Sequence, residues 1–353
     1  MTLPRPAKTA LLVGVPLVVA LAVAIVPAWR KKEPEVTSKW PWADAERVLD
    51  KPAEPPRWPL TGLDAPDVVS VRSRVVSVKI ENSAEARPQL GLRDADVVYE
   101  MLSEGGISRF NAMFHSRIPE AVAPVRSARM PDLQIVPQYK AVFAYSGANG
   151  DVLRRIKSSG IDEMEFGVNP VGYYRGAGRR APHNLFLDIA KLREQAVAKR
   201  KFAEKTEVRG LTFSPSVETS AAASRIVIPF SPANRVEWTY DAPSSAYARV
   251  NNGKAHTDAG SGKQITATNV VVLWAKTKKL RLRDSTGSPT LDMELVGKNR
   301  AAVFRDGVRM DGTWEAKEDA PPAFRATDGT LITLRPGNTW FQVVPTSVNI
   351  AFD

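Results

Sequence analysis

Cysteine is absent from this sequence, and histidine is scarce, with His115, His183 and His256 far apart. Without a thiol there is no disulfide, no thiolate nucleophile, no iron–sulfur cluster and no cysteine-ligated zinc. Three dispersed histidines offer little material for a metal site, so neither metal nor cofactor is expected. A lipobox is excluded with the cysteine. Nucleic-acid-binding motifs are missing as well, although 49 Lys+Arg against 38 Asp+Glu give a net charge of +11. Nucleic acid is therefore set aside; for a chain working outside a membrane, anionic polymers or lipid headgroups would be the expected partners of that charge.

What is present excludes two further classes. An apolar fraction of 43% with 25% charged residues fits neither a disordered chain nor a multi-span membrane protein. The 353 residues suggest two domains. Large domains need no disulfide staples, which suits an exported protein without cysteine.

The run Thr9–Trp29 carries no charge and is rich in Leu, Val and Ala. As a helix it would span roughly 30 Å, the thickness of a bilayer core. Arg5 and Lys8 precede it and Arg30, Lys31 and Lys32 follow, so the flanking charges do not fix its orientation. An uncleaved single-pass anchor is the expectation, with the folded part extracytoplasmic. Cleavage at Ala22-Val23-Ala24, giving a secreted protein, is the alternative. Arg30–Leu60 holds six of the 27 prolines and reads as a stiff spacer. The expected order is a tail at 1–8, an anchor at 9–29 and a linker at 30–58. An α/β domain at 59–213, a boundary at 214–224 and a mainly β domain at 225–353 complete an α+β protein.

In the first domain, Val75–Ile80, Val97–Leu102, Ile107–Phe114 and Ala141–Ser146 read as strands. Asp132–Gln138, Asp151–Ser158 and Ile189–Lys205 read as helices. In the second, Ile226–Phe230, Arg235–Tyr240, Ala246–Asn251, Asn269–Ala275, Ala301–Arg305 and Thr339–Val344 are β runs. Turns are expected at Asp306-Gly307, Asp311-Gly312, Asp328-Gly329 and Pro336-Gly337.

The block Ile80–Arg129 is the richest in chemistry. Gly105-Gly106 predicts a two-residue hairpin that pairs Glu104 with Ile107, Leu102 with Arg109 and Glu100 with Asn111. Period two then places Glu100, Glu104, Arg109 and Asn111 on one face, opposite Val97, Tyr99, Phe110 and Phe114. Four strand residues separate the two glutamates by about 13 Å, too far for a glycosidase pair at roughly 5–9.5 Å. Glu81 would have to supply the second carboxylate. Arg126 and Arg129 precede a helix that Pro131 would start, where anions are favoured. Ser146-Gly147-Ala148-Asn149-Gly150-Asp151 is a strand–turn–helix without the Walker lysine. Arg175, Arg179, Arg180, His183 and Asn184 share a Gly-rich loop, and His256 falls in an expected turn. Ser127 and Ser146 are the available hydroxyl nucleophiles.

Several of these motifs carry a resemblance. Pro59-Leu-Thr-Gly62, the Glu81–Leu92 segment, Asp96–Glu100, Glu104–Phe110, Pro124–Arg129 and Ala181–Leu185 resemble the YerB-type family of bacterial envelope proteins. Val236–Asp241, His256-x-Asp258, Gly312-Thr-Trp314 and Pro336–Trp340 extend the likeness. It implies a lipoprotein or membrane-anchored protein with an N-terminal α/β part and a C-terminal β-rich part, of unknown reaction. The anchor at 9–29 would replace the lipid. On that footing Glu81, Arg87, Arg109, Arg126, Arg129, Arg180 and Asn184 are expected to bind an anionic or glycan envelope ligand, such as a wall polymer or lipid-linked precursor. A glycan- or phosphate-active enzyme using Glu100, Glu104 and His183 is a second expectation. A non-catalytic scaffold with a buried charge network is the third.

Overall fold

Largely apolar stretches such as Val97–Leu102, broken by Glu100, and Asn269–Ala275 belong in strands covered on both faces, and that is where the computed structural model places them. It describes residues 54–217, 221–283 and 287–353. The anchor at 9–29 and most of the spacer lie outside these residues. Among the described residues no helix is long and apolar enough to cross a membrane.

The labelled strands are β1 (Val76–Glu81), β2 (Val97–Leu102), β3 (Ser108–Phe114), β4 (Val142–Tyr145) and β5 (Glu163–Glu165). They continue with β6 (Arg225–Ser231), β7 (Asn234–Asp241), β8 (Ala246–Asn251), β9 (Asn269–Ala275) and β10 (Gly297–Arg305). The last are β11 (Val308–Lys317), β12 (Ala320–Arg325), β13 (Leu331–Ile332), β14 (Thr339–Pro345) and β15 (Ala351–Phe352). The helices are α1 (Val68–Val71), α2 (Asp132–Gln138), α3 (Gly150–Ser158) and α4 (Ile189–Ala198).

One sheet runs β13-β12-β11-β10-β9-β14-β2-β3-β1-β4-β5, with Ala221–Ala222 beside β11. The parallel pairing of β14 with β2, Tyr99 against Phe341, joins the two halves of the chain. A second sheet contains β6, β7, β8 and β15. Its Ile226, Ile228, Trp238 and Tyr247 pack with α4 residues Ile189 and Leu192 against Val98, Phe110 and Trp340 of the main sheet. On the other side, Ile135, Val136, Val152 and Ile156 of α2 and α3 join Val97, Tyr99 and Phe341. The chain is thus mixed α+β and mostly strand.

Four sequence expectations are corrected. The β2–β3 hairpin pairs Leu102 with Ser108, Glu100 with Phe110 and Tyr99 with Asn111. Glu104 leaves the ladder for a short 3₁₀ turn over Glu104–Gly106, and the Ser103 N–H donates to the Ile107 carbonyl at 2.8 Å. This one-residue shift puts Glu100 on the opposite face from Arg109 and Asn111. Asp311-Gly312 lies inside β11, where glycine is needed because the Arg325 carbonyl of β12 would sit 2.0 Å from a Cβ. Helix α4 ends at Ala198 rather than Lys205, as Lys201 takes a left-handed φ of 56°. His256 lies just past the Asn252-Gly253 turn and is buried. Elsewhere Asp306-Gly307 makes the expected two-residue turn, with φ of 54° and 73°.

Candidate functional site

The charged motifs separate into two clusters on opposite faces of β1–β3. Towards α2, strand period brings Lys79, Glu81, Arg109 and Asn111 to one face, with Glu81 directly across from Arg109. The segment Val125–Arg129 runs alongside, held by the Arg126 N–H on the Lys79 carbonyl at 2.9 Å. One Glu81 carboxylate oxygen lies 3.0 Å from Arg126 Nε and 2.9 Å from His183 Nδ1. Arg129 Nε donates to Glu104 at 2.6 Å, and Ser103 Oγ donates to the same oxygen. Deeper, the Lys79 ammonium is sealed against Asp132 at 2.7 Å, and Asn111 donates to that carboxylate at 2.9 Å. Burial, only partly offset by Asp132, holds Lys79 below its ordinary range.

Arg109 is the exception. It is 8% exposed, and no carboxylate among the described residues lies within ion-pair distance of it. Its Nη1 donates to the Ser127 carbonyl at 3.0 Å, while its buried Nε has no hydrogen-bond partner. Burial first, and then the neighbouring Arg129 and Arg126, bring its guanidinium down to about 9, partly offset by the Glu104 and Glu81 carboxylates. Four cations (Lys79, Arg109, Arg126 and Arg129) thus meet three carboxylates (Glu81, Glu104 and Asp132). A cation without its counterion in a poorly solvated place is costly, and an incoming anion would relieve the cost. The Arg126 and His183 side chains keep 23% and 24% of their surface exposed, so the Glu81 edge of the cluster meets solvent.

On the opposite face Glu100 is fully enclosed. Arg249 Nη2 donates to both of its carboxylate oxygens, at 2.8 and 2.7 Å, and Ser108 Oγ donates at 2.6 Å. The Arg249 guanidinium lies over Phe110, Trp238 and Trp340, with ring centres 5.3–5.6 Å away. Its Nη1 donates to His256 Nδ1 at 2.7 Å, leaving His256 Nε2–H to donate to Gln89 at 2.6 Å. Burial, with Arg249 and Arg87 beside it, holds His256 well below the ordinary histidine range, which fixes this neutral tautomer.

Of the remaining expected residues, Arg87 lines a separate cavity of about 450 Å³ with Asn251, Lys254 and His256. Arg180 is exposed, and Asn184 accepts from Arg175 at 2.9 Å. The structure therefore brings Glu81, Glu104, Arg109, Arg126, Arg129 and His183 into one neighbourhood and leaves Arg87, Glu100, Arg180 and Asn184 outside it. Sequence reasoning passed over Arg249, Lys79 and Asp132. For Arg249 a signal existed, since it shares the inward period-two positions of β8 with Tyr247 and Asn251.

Residues 60–203 match the N-terminal domain, and residues 226–341 the C-terminal domain, of a family of proteins of unknown function, DUF3048. The chain belongs to that family. It is 31% identical over 293 residues to "Putative lipoprotein YerB" of Bacillus subtilis (strain 168), covering 81% of this chain and 86% of that protein. The crystal structure of YerB from Bacillus subtilis superposes with a TM-score of 0.74 at 27% identity, over 84% of this chain and 99% of that one. The resemblance in the sequence motifs to YerB-type proteins is thereby borne out.

Proposed function

We propose that this member of the DUF3048 family is an extracytoplasmic envelope protein that binds an anionic envelope ligand at the Arg109–Arg126–Arg129 cluster. The observation that carries the reading is Arg109, a buried guanidinium flanked by two arginines, with no carboxylate within ion-pair distance among the described residues. Phosphate or pyrophosphate fits this need, because planar guanidinium forks bind oxyanions through paired N–H groups. A lipid-linked precursor or a phosphate-bearing wall glycan would present such a group. His183 and Arg126 form the exposed rim.

The location follows from the N-terminus. The uncharged run at 9–29 supplies a single-pass anchor in place of the lipid implied by the name of the Bacillus relative. Binding is favoured over proton transfer by Glu104. Burial pushes its carboxyl up, but Arg129 and Ser103 outweigh that and hold it below the ordinary carboxylate range. A carboxylate so stabilised is a poor general acid near neutral pH.

The test is titration of the full-length protein in micelles with pyrophosphate and with a polyprenyl pyrophosphate, followed by calorimetry. Binding is expected to fall at least about tenfold in Arg109→Met, where a charge-assisted contact is lost. Arg87→Met should bind as the parent does. Equal affinity of Arg109→Met and the parent would refute the reading.

A further inference from the structure

The segment Lys276–Arg283 reads KTKKLRLR, five basic residues with no carboxylate, and the Arg109 site makes no use of it. Among the described residues Thr277–Arg283 pairs only with Pro289–Met293, as a two-stranded ribbon. Leu280 packs against the core, so Lys278, Lys279, Arg281 and Arg283 are left exposed. Facing the ribbon is α3, whose Arg154, Arg155 and Lys157 form the other wall of a groove of about 960 Å³. Asn149, the N-cap of α3, donates to the Arg283 carbonyl at 2.5 Å and ties the two walls together.

Some of this charge is compensated: Arg154 pairs with Asp151, and Lys157 lies 3.6 Å from Glu165. Arg155, Lys278, Lys279 and Arg281 have no ion-pair partner among the described residues. Lys279, Arg281 and Arg283 follow one another along the ribbon, whose pairing is irregular between Lys279 and Arg283.

We infer that this groove binds a linear phosphodiester polymer of the cell envelope. Its cations are solvated, so a single phosphate would gain little, whereas a chain of phosphates sums many weak contacts. Arg281 stands on one wall of the groove and Arg154, Arg155 and Lys157 on the other, with Lys278 and Lys279 exposed on the ribbon beside it, and a flat array of lipid headgroups would reach only the rim. Among the described residues no aromatic side chain lines it, so bases of a single-stranded nucleic acid would find nothing there to stack on.

The experiment uses the full-length protein in micelles and a fluorescent poly(glycerol phosphate), at low and high salt. Binding is expected to weaken steeply with salt, as counterion release requires. It should fall by about tenfold or more in Lys278→Gln/Lys279→Gln/Arg281→Gln, and by less in Arg155→Gln. The triple variant should still bind pyrophosphate as the parent does, which separates this groove from the Arg109 site. The substituted side chains are exposed, so melting temperatures should match the parent. Salt-independent binding, or equal binding by the triple variant, would overturn the assignment. So would tighter binding to phosphatidylglycerol vesicles or to oligothymidylate.

Discussion

Glu100 and Arg249 are 149 residues apart in the chain, yet they meet at 2.7 Å with neither side chain exposed. Each comes from a different sheet, so the pair pins the β-rich layer to the centre of the main sheet. Its aromatic surround excludes water, which strengthens the attraction and makes either charge alone very costly.

Replacing Glu100 with Gln keeps the shape but leaves the Arg249 cation buried and uncompensated. The expected loss is about 3–5 kcal/mol of stability. Adding Arg249→Met to that variant should restore much of it, since an apolar pair of similar volume avoids the desolvation cost. Urea melting curves measure both, and an unchanged midpoint for Glu100→Gln would contradict the role assigned to the pair.

Arg109 should behave in the opposite sense. Its guanidinium is buried with one carbonyl partner, and the cost of that burial and of Arg129 and Arg126 outweighs the pull of Glu104 and Glu81, so Arg109→Met should stabilise the free protein by about 1 kcal/mol. Such a gain on loss of binding is the signature of a site held ready for a ligand. Thermal unfolding without ligand tests it, and a clear loss of stability would mark Arg109 as a structural residue.

Acid should weaken the fold through His115. It is 2% exposed, packs edge-on to Trp58, and Nε2 reaches the Ser73 carbonyl at 2.9 Å. Burial, partly offset by that carbonyl, lowers its pKa from 6.5 to about 4. Below 6.5 the unfolded chain therefore binds the proton first, and stability present above that pH is lost as pH falls towards 4. The loss amounts to about 3 kcal/mol. His256 adds to it in the same direction. His115→Phe should flatten the dependence in part, as urea melts at pH 7, 5.5 and 4.5 would show; identical slopes would refute it.

The sequence revealed elements better than contacts. Strands β2 and β9 and helix α2 coincide with the expected segments, because an apolar run bounded by turn residues or by Pro131 has few other local solutions. Gly105-Gly106 misled: both glycines have positive φ, as a tight turn requires, yet Glu104 joins them in the turn. That single residue reversed the face of Glu100 and split what had read as one charged surface. Asp311-Gly312 misled for a different reason, since its glycine answers to the neighbouring strand. Glu81, Arg109, Arg126, Arg129 and His183 were nonetheless legible as candidates from charge density and motif.

Local chemistry alone set the α+β character, the charge excess and the residue types able to hold an anion, because propensity, pattern and side-chain charge are properties of short segments. Which charges neutralise one another was decided only by the tertiary structure. Counterions are assigned by register and by long-range packing, and a shift of one residue moves a side chain to the other side of a sheet. Folding gave Glu100 to Arg249 and Glu104 to Arg129, and among the described residues it left Arg109 with no carboxylate within ion-pair distance.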